Sequence, residues 1–132
     1  MSEISKLQLK VLSLSNLKTA GRNCGFEMRE QEHFKVYYKD SDANRCNHVL
    51  YIPGTERHAF EIGVIQQPDQ SYTLAWDDMD SELVKRAGKG MKKLECEYEA
   101  VTYRELMVGQ GYEMSEVLLP DGTRELYATK YE

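Results

Sequence analysis

The chain contains no apolar run approaching the ~20 residues that a membrane-spanning helix needs, and its first residues, Met1-Ser2-Glu3, are too polar for a signal peptide. Cysteine is sparse. The three present are widely spaced, odd in number and without a Cys-x-x-Cys pair. That usage predicts reduced thiols in a cytoplasm rather than a disulfide framework. Neither a Gly-x-Ser-x-Gly elbow nor a Gly-x-x-x-x-Gly-Lys-Ser/Thr phosphate loop occurs, which removes two common routes to acyl and phosphoryl chemistry. Repeats, linkers and low-complexity tracts are also missing, so residues 1–132 are expected to form a single domain.

What is present is an ordinary globular balance, 41% hydrophobic and 30% charged. The net charge of −5 gives no overall field toward nucleic acid, which is disfavoured as a partner. The charge is unevenly spread. Residues 1–50 hold eight Lys and Arg against six Asp and Glu, and residues 51–132 hold nine against sixteen.

The longest periodic stretch follows Asp80. Leu83, Ala87, Met91, Leu94, Tyr98 and Val101 recur three or four residues apart, which aligns them on one helical face. Asp80 or Ser81 would cap its start, and Gly109-Gln110-Gly111 would end it. Gly88 and Gly90 each disfavour helix by about 1 kcal/mol against Ala, predicting a kink or break.

Upstream, Leu7, Leu9 and Val11 alternate as a first strand, and a helix capped by Ser15 or Asn16 presents Leu17, Ala20 and Cys24 until Gly25 stops it. Strands are then expected over Glu32–Tyr38 and His48–Ile52, around Phe60, Ile62 and Val64, and around Tyr72, Leu74 and Trp76. A turn at Gln67-Pro68-Asp69-Gln70 separates the last two. Connections this short require antiparallel pairing. Two final strands, near Glu113–Leu119 and Thr123–Tyr131, flank Pro120-Asp121-Gly122. The order predicts an α+β two-layer sandwich: a single antiparallel sheet of about five to seven strands, packed by two helices on one face. Leu9, Phe34, Val36, Ile62, Leu74, Trp76, Leu94, Tyr98 and Val101 are expected in one core.

Candidate chemistry is thin. Cys46 and His48 stand two apart, so an extended backbone would turn both to one side, with Cys24, His33 and His58 elsewhere. A second close ligand pair is lacking, and no metal or other cofactor is expected. Cys24 falls near a helix C-terminus and Cys96 between Glu95 and Glu97, both unfavourable to thiolate; only Cys46, near Arg45 and His48, has a plausible setting. Asp77, Asp78, Asp80 and Glu82 cluster before the long helix, where the positive end of its dipole accounts for them without catalysis.

The charge pattern of the long helix is more distinctive. Lys85, Arg86, Lys89, Lys92 and Lys93 form a basic block, followed at once by Glu95, Glu97 and Glu99. Lys85–Lys89, Lys89–Lys93 and Glu95–Glu99 would be like-charge neighbours one turn apart, each opposing the helix by on the order of 0.2–0.5 kcal/mol. A helix selected for its own stability would interleave the signs, so the block reads either as a solvated face or as a surface for an anion. Tyrosine is in excess, nine of 132, and Tyr37, Tyr51 and Tyr72 on expected strands offer rigid contact area.

Leu17-Lys18 and Ala20 leading to Gly25-Phe26, Ile62-Gly63-Val64, Tyr72-x-Leu74 with Asp77, Tyr98 with Val101, Gln110-Gly111-Tyr112 and Asp121-Gly122 together resemble the hypothetical chloroplast reading frame 35 family, also called domain of unknown function 1257. The likeness runs from about Asn16 to Tyr131 in scattered positions, and departs around Asp40–Asn47 and Gly88-Lys89-Gly90. It implies a compact soluble fold of plastid, cyanobacterial or phage type, with no established activity or catalytic set. The combined expectation is a small cytoplasmic binding or adaptor protein, not an enzyme, with homo-oligomerisation allowed. Its partner would be a protein contacting the basic helix and tyrosine-bearing strands. The alternative is a small-ligand protein, enzyme or sequestering binder, holding an anionic metabolite or nucleotide near Lys85–Lys93.

Overall fold

Apolar alternation builds the sheet. In the computed structural model, which describes residues 4–6, 10–36, 44–54, 60–77, 81–121 and 124–130, the chain divides into two compact units, Met1–Tyr98 and Glu99–Glu132. The first unit holds β1 (Ile4–Lys6), α1 (Leu14–Asn23), β2 (Glu27–Glu30), β3 (His48–Tyr51), β4 (Ile62–Gln66), β5 (Tyr72–Asp77) and α2 (Ser81–Ala87). A 3₁₀ turn at Lys89–Met91 then leads into α3 (Lys92–Gly109), which ends in the second unit. The strands pair antiparallel in the order β1-β5-β4-β3-β2, so β2 through β5 form the expected meander and β1 is added beyond β5.

The pleat sorts residues onto two faces. On one, Leu50, Ile62, Val64, Leu74 and Trp76 meet Leu17 and Ala20 of α1, Leu83 and Ala87 of α2, and Met91, Leu94 and Tyr98. Each fully buried Leu or Ile there contributes about 1.5–3 kcal/mol. On the other face, Phe34 packs with Val49 and Ala75, flanked by Val36, Cys46, Tyr51 and Ile65. The expected single core is therefore two clusters. Phe34 and Val36 belong to the one away from the helices, while Leu9 lies outside the described residues.

The second unit contains β6 (Tyr112–Leu118) and β7 (Arg124–Lys130), paired from Tyr112↔Lys130 to Leu118↔Arg124. Arg104 of α3 forms an ion pair with Glu116 of β6. The two strands make their own ladder and do not extend the five-stranded sheet, which corrects the single sheet of five to seven strands. The α+β class and the antiparallel pairing stand.

Three local expectations change, and a fourth, the kink or break at Gly88 and Gly90, is met. The first strand is Ile4–Lys6; Leu7 and Leu9 lie outside the described residues, and Val11 makes only an isolated bridge to Tyr72. Helix α1 is capped by Ser13, not Ser15 or Asn16: the Ser13 hydroxyl accepts from the Asn16 amide at 3.1 Å. Gly25, with φ +90°, follows the cap as expected. Among the described residues the strand expected at Glu32–Tyr38 lies earlier, at Glu27–Glu30, and residues 31–36 keep one bridge, His33↔Arg45, while Tyr37 and Tyr38 lie outside the described residues. The long helix is two helices. Gly88 has φ +82° and Gly90 φ +63°, and Met91 follows at φ +62°, so the axis breaks between Ala87 and Lys92.

Candidate partner-binding cleft

The connection from α1 to β2 is short, so the helix lies directly beside the edge strand it feeds. Two contiguous depressions run between them. One, of about 400 Å³, is lined by Leu14, Lys18, Met28, Glu30 and His48 among others. The second, of about 260 Å³, is lined by Lys18, Arg22, Phe26, Glu27 and Met28. Lys18 and Met28 are shared, which makes the pair one cleft, with Arg22 and Glu27 at one end and Leu14, Glu30 and His48 at the other. Lys18 and Arg22 are four residues apart on the exposed side of α1 and have no ion-pair partner among the described residues.

Behind β2 the charges are already matched. The Arg29 Nη2 donates to Glu61 Oε2 at 2.6 Å, its Nε donates to Gln31 at 2.9 Å, and its guanidinium lies 4.2 Å from the centre of the Tyr51 ring. Glu61 is buried and also accepts from the Gln31 side chain at 2.7 Å and from the Lys35 amide at 2.9 Å. A buried carboxylate with a cation and two further donors is a structural anchor for the loop that follows β2.

The sequence-derived site residues fall elsewhere. Lys85, Lys89, Lys92 and Lys93 are exposed, and none lines the cleft. Lys92 approaches Glu95 at 3.8 Å. The break at Gly88–Met91 divides the block between α2, the turn and α3, so it is not one helical stripe. Arg86 is half-buried: its guanidinium occupies the side of Gly25 where a Cβ would come within 2.9 Å, and its buried Nε has no partner among the described residues. Tyr37 lies outside the described residues. Tyr51 donates its hydroxyl to Glu27 at 3.0 Å, and Tyr72 meets His48 edge to face with ring centres 6.3 Å apart. These two tyrosines sit on opposite faces of the sheet and do not form one surface.

Cys46 and His48 also part company. Cys46 packs with Phe34 and Val49 and donates to the Gln31 carbonyl at 3.1 Å, whereas His48 packs beside Tyr72 on the helical side. Burial, with the Glu61 charge in second place, pushes the Cys46 thiol up to about 11. Burial therefore favours its protonated form at neutral pH, and the nearby Arg45 and His48 do not lower it. Among the described residues no three His, Cys, Asp or Glu side chains are grouped to share an ion. Asp77 is buried and Glu82 exposed, while Asp78 and Asp80 lie outside the described residues. No described helix is long and apolar enough to cross a membrane.

Sequence reasoning passed over the cleft. Its signal was faint: Lys18 and Arg22 one turn apart opposite Leu17 and Ala20, followed by a four-residue strand, Glu-Met-Arg-Glu, whose charges hide its alternation. No family model, curated protein or solved structure matches the chain.

Proposed function

We propose that the protein is a small non-enzymatic binding module that holds an anionic segment of a protein partner in the cleft between α1 and β2. The observation that carries this reading is the juxtaposition, at one sheet edge, of unpaired Lys18 and Arg22 with the apolar surface of Leu14 and Met28. Exposed cations beside an apolar floor suit an acidic partner, because the charges set orientation and encounter rate while apolar contact adds affinity. The groups with catalytic potential are otherwise engaged: Cys46 is held protonated, and Glu61 is saturated by Arg29, Gln31 and Lys35. A cytoplasmic location, expected from the sparse and unpaired cysteines, suits such a module. The basic block at Lys85–Lys93 lines neither of these two depressions, so they lend no support to the anionic-metabolite alternative.

The test is a fluorescence-anisotropy titration with a labelled polyglutamate peptide, at low and high salt. Wild type should bind, and binding should weaken steeply with salt. Lys18→Glu with Arg22→Glu should lose about tenfold or more in affinity, close to 1.4 kcal/mol. Lys89→Glu should bind as wild type does. Equal binding by the Lys18/Arg22 variant and wild type would end the assignment to this cleft.

A further inference from the structure

The geometry points to strand addition: we infer that an extended acidic peptide binds by pairing its backbone with the outer edge of β2. The inference rests on the binding role proposed for the α1–β2 cleft and specifies how the ligand is held.

Strand β2 is terminal in the five-stranded sheet, and no strand among the described residues pairs with its outer edge. The register shows which backbone groups face out. Glu27 to Glu30 pair with Tyr51 to His48, and the Gln31 amide donates to the Asn47 carbonyl at the end of that ladder. In an antiparallel ladder hydrogen-bonded pairs alternate, so Arg29↔Val49 and Glu27↔Tyr51 carry the bonds to β3. The N–H and C=O groups of Met28 and Glu30 then point away from the sheet, two residues apart, which is the spacing an added strand needs. Both residues line the cleft. The unpaired edge and the cleft floor are therefore the same surface.

The lining sets the chemistry of the occupant. An added strand would present alternate side chains toward α1, over the apolar Leu14 toward one end and beside Arg22 toward the other, with Lys18 and Met28 shared between them. An apolar residue followed two positions later by a carboxylate matches that order. Self-pairing of β2 through the same outward groups, which would set Glu27 against Arg29, predicts instead a dimer in which the Met28 and Glu30 amides are protected without any peptide.

Two blocked peptides built on Ser-Val-Ser-Glu-Ser, which puts Val and Glu two positions apart on one face, serve as probes, identical except that one is N-methylated at alternate residues. Methylation keeps the charge and removes the donors needed for pairing. The plain peptide should bind, the methylated one should lose about tenfold or more, and the Met28 and Glu30 amides should gain protection from hydrogen exchange only with the plain peptide. Glu30→Pro, which deletes an outward donor without removing a bond to β3, should weaken the plain peptide while leaving the melting temperature within a few degrees. Equal binding of both peptides to wild type, with sensitivity to Lys18→Glu retained, would overturn strand addition and leave the anionic cleft standing. Binding of neither peptide would overturn both.

Discussion

The ring of Phe34 occupies the space that a side chain at Gly63 would fill: a Cβ built on Gly63 would stand 2.3 Å from Phe34 Cδ1. This contact seats the chain after β2 on the face of the sheet that the helices leave uncovered, with Val49 and Ala75 alongside. Gly63→Ala should destabilise the fold by about 1–3 kcal/mol through overpacking, measured by denaturant melting. A loss under about 0.5 kcal/mol would show that Phe34 yields readily and that the second cluster is loosely held.

Tyr98 closes the opposite face. Its hydroxyl accepts from the Leu12 amide at 3.0 Å and the Ser13 amide at 3.1 Å, fixing the start of α1 to α3. Tyr98→Phe keeps the buried ring and strips two amides of their acceptor. It should lower stability by about 1–3 kcal/mol, as expected for part-buried donors left unsatisfied. The loss should appear with hydrogen-exchange protection reduced at Leu12 and Ser13; unchanged exchange there would show that water replaces the hydroxyl.

Lys89→Glu gives a direct reading of the helix break. On a continuous helix the substitution would turn two repulsive neighbours, Lys85 and Lys93, into attractive ones and stabilise the chain. With Gly88, Gly90 and Met91 at positive φ, residue 89 is no longer one helical turn from either. The expected change is within about 0.5 kcal/mol in thermal or denaturant melting. A clear stabilisation would mean that the helix runs through.

Alkylation distinguishes the three thiols. Cys96 is exposed, Cys24 is buried, and Cys46 is half-buried with its thiol raised to about 11 from a usual value near 9. Iodoacetamide at about pH 8 should modify Cys96 first, with Cys46 modified only as the pH climbs toward 11, read by peptide mass mapping. The sign for stability follows. A thiol favoured in its neutral form stabilises the folded chain below about pH 9, and that contribution is lost as the pH rises through about 11. Rapid labelling of Cys46 at pH 8 would show that its burial is transient.

Local information in the sequence was sufficient wherever a segment's own pattern matched its environment. Tyr72, Leu74 and Trp76 alternate because they share the face of β5 that packs against the helices, and the turn before them and the break at Gly88–Gly90 follow from backbone preferences that act over a few residues. The α+β class followed from the order of such segments. Tertiary structure decided the rest. Phe34 could be seen as buried but not assigned to a face, because β2 ends at Glu30 and strand alternation no longer applies, and the close approach of Phe34 to Gly63 is a long-range contact. β6 and β7 were legible as strands, yet whether they joined the main sheet depended on pairings between distant residues. The basic block looked continuous because sequence spacing assumes an unbroken helix. Lys18 and Arg22 became a cleft wall only because β2, a strand too short and too charged to announce itself, is left at the edge of the sheet beside α1.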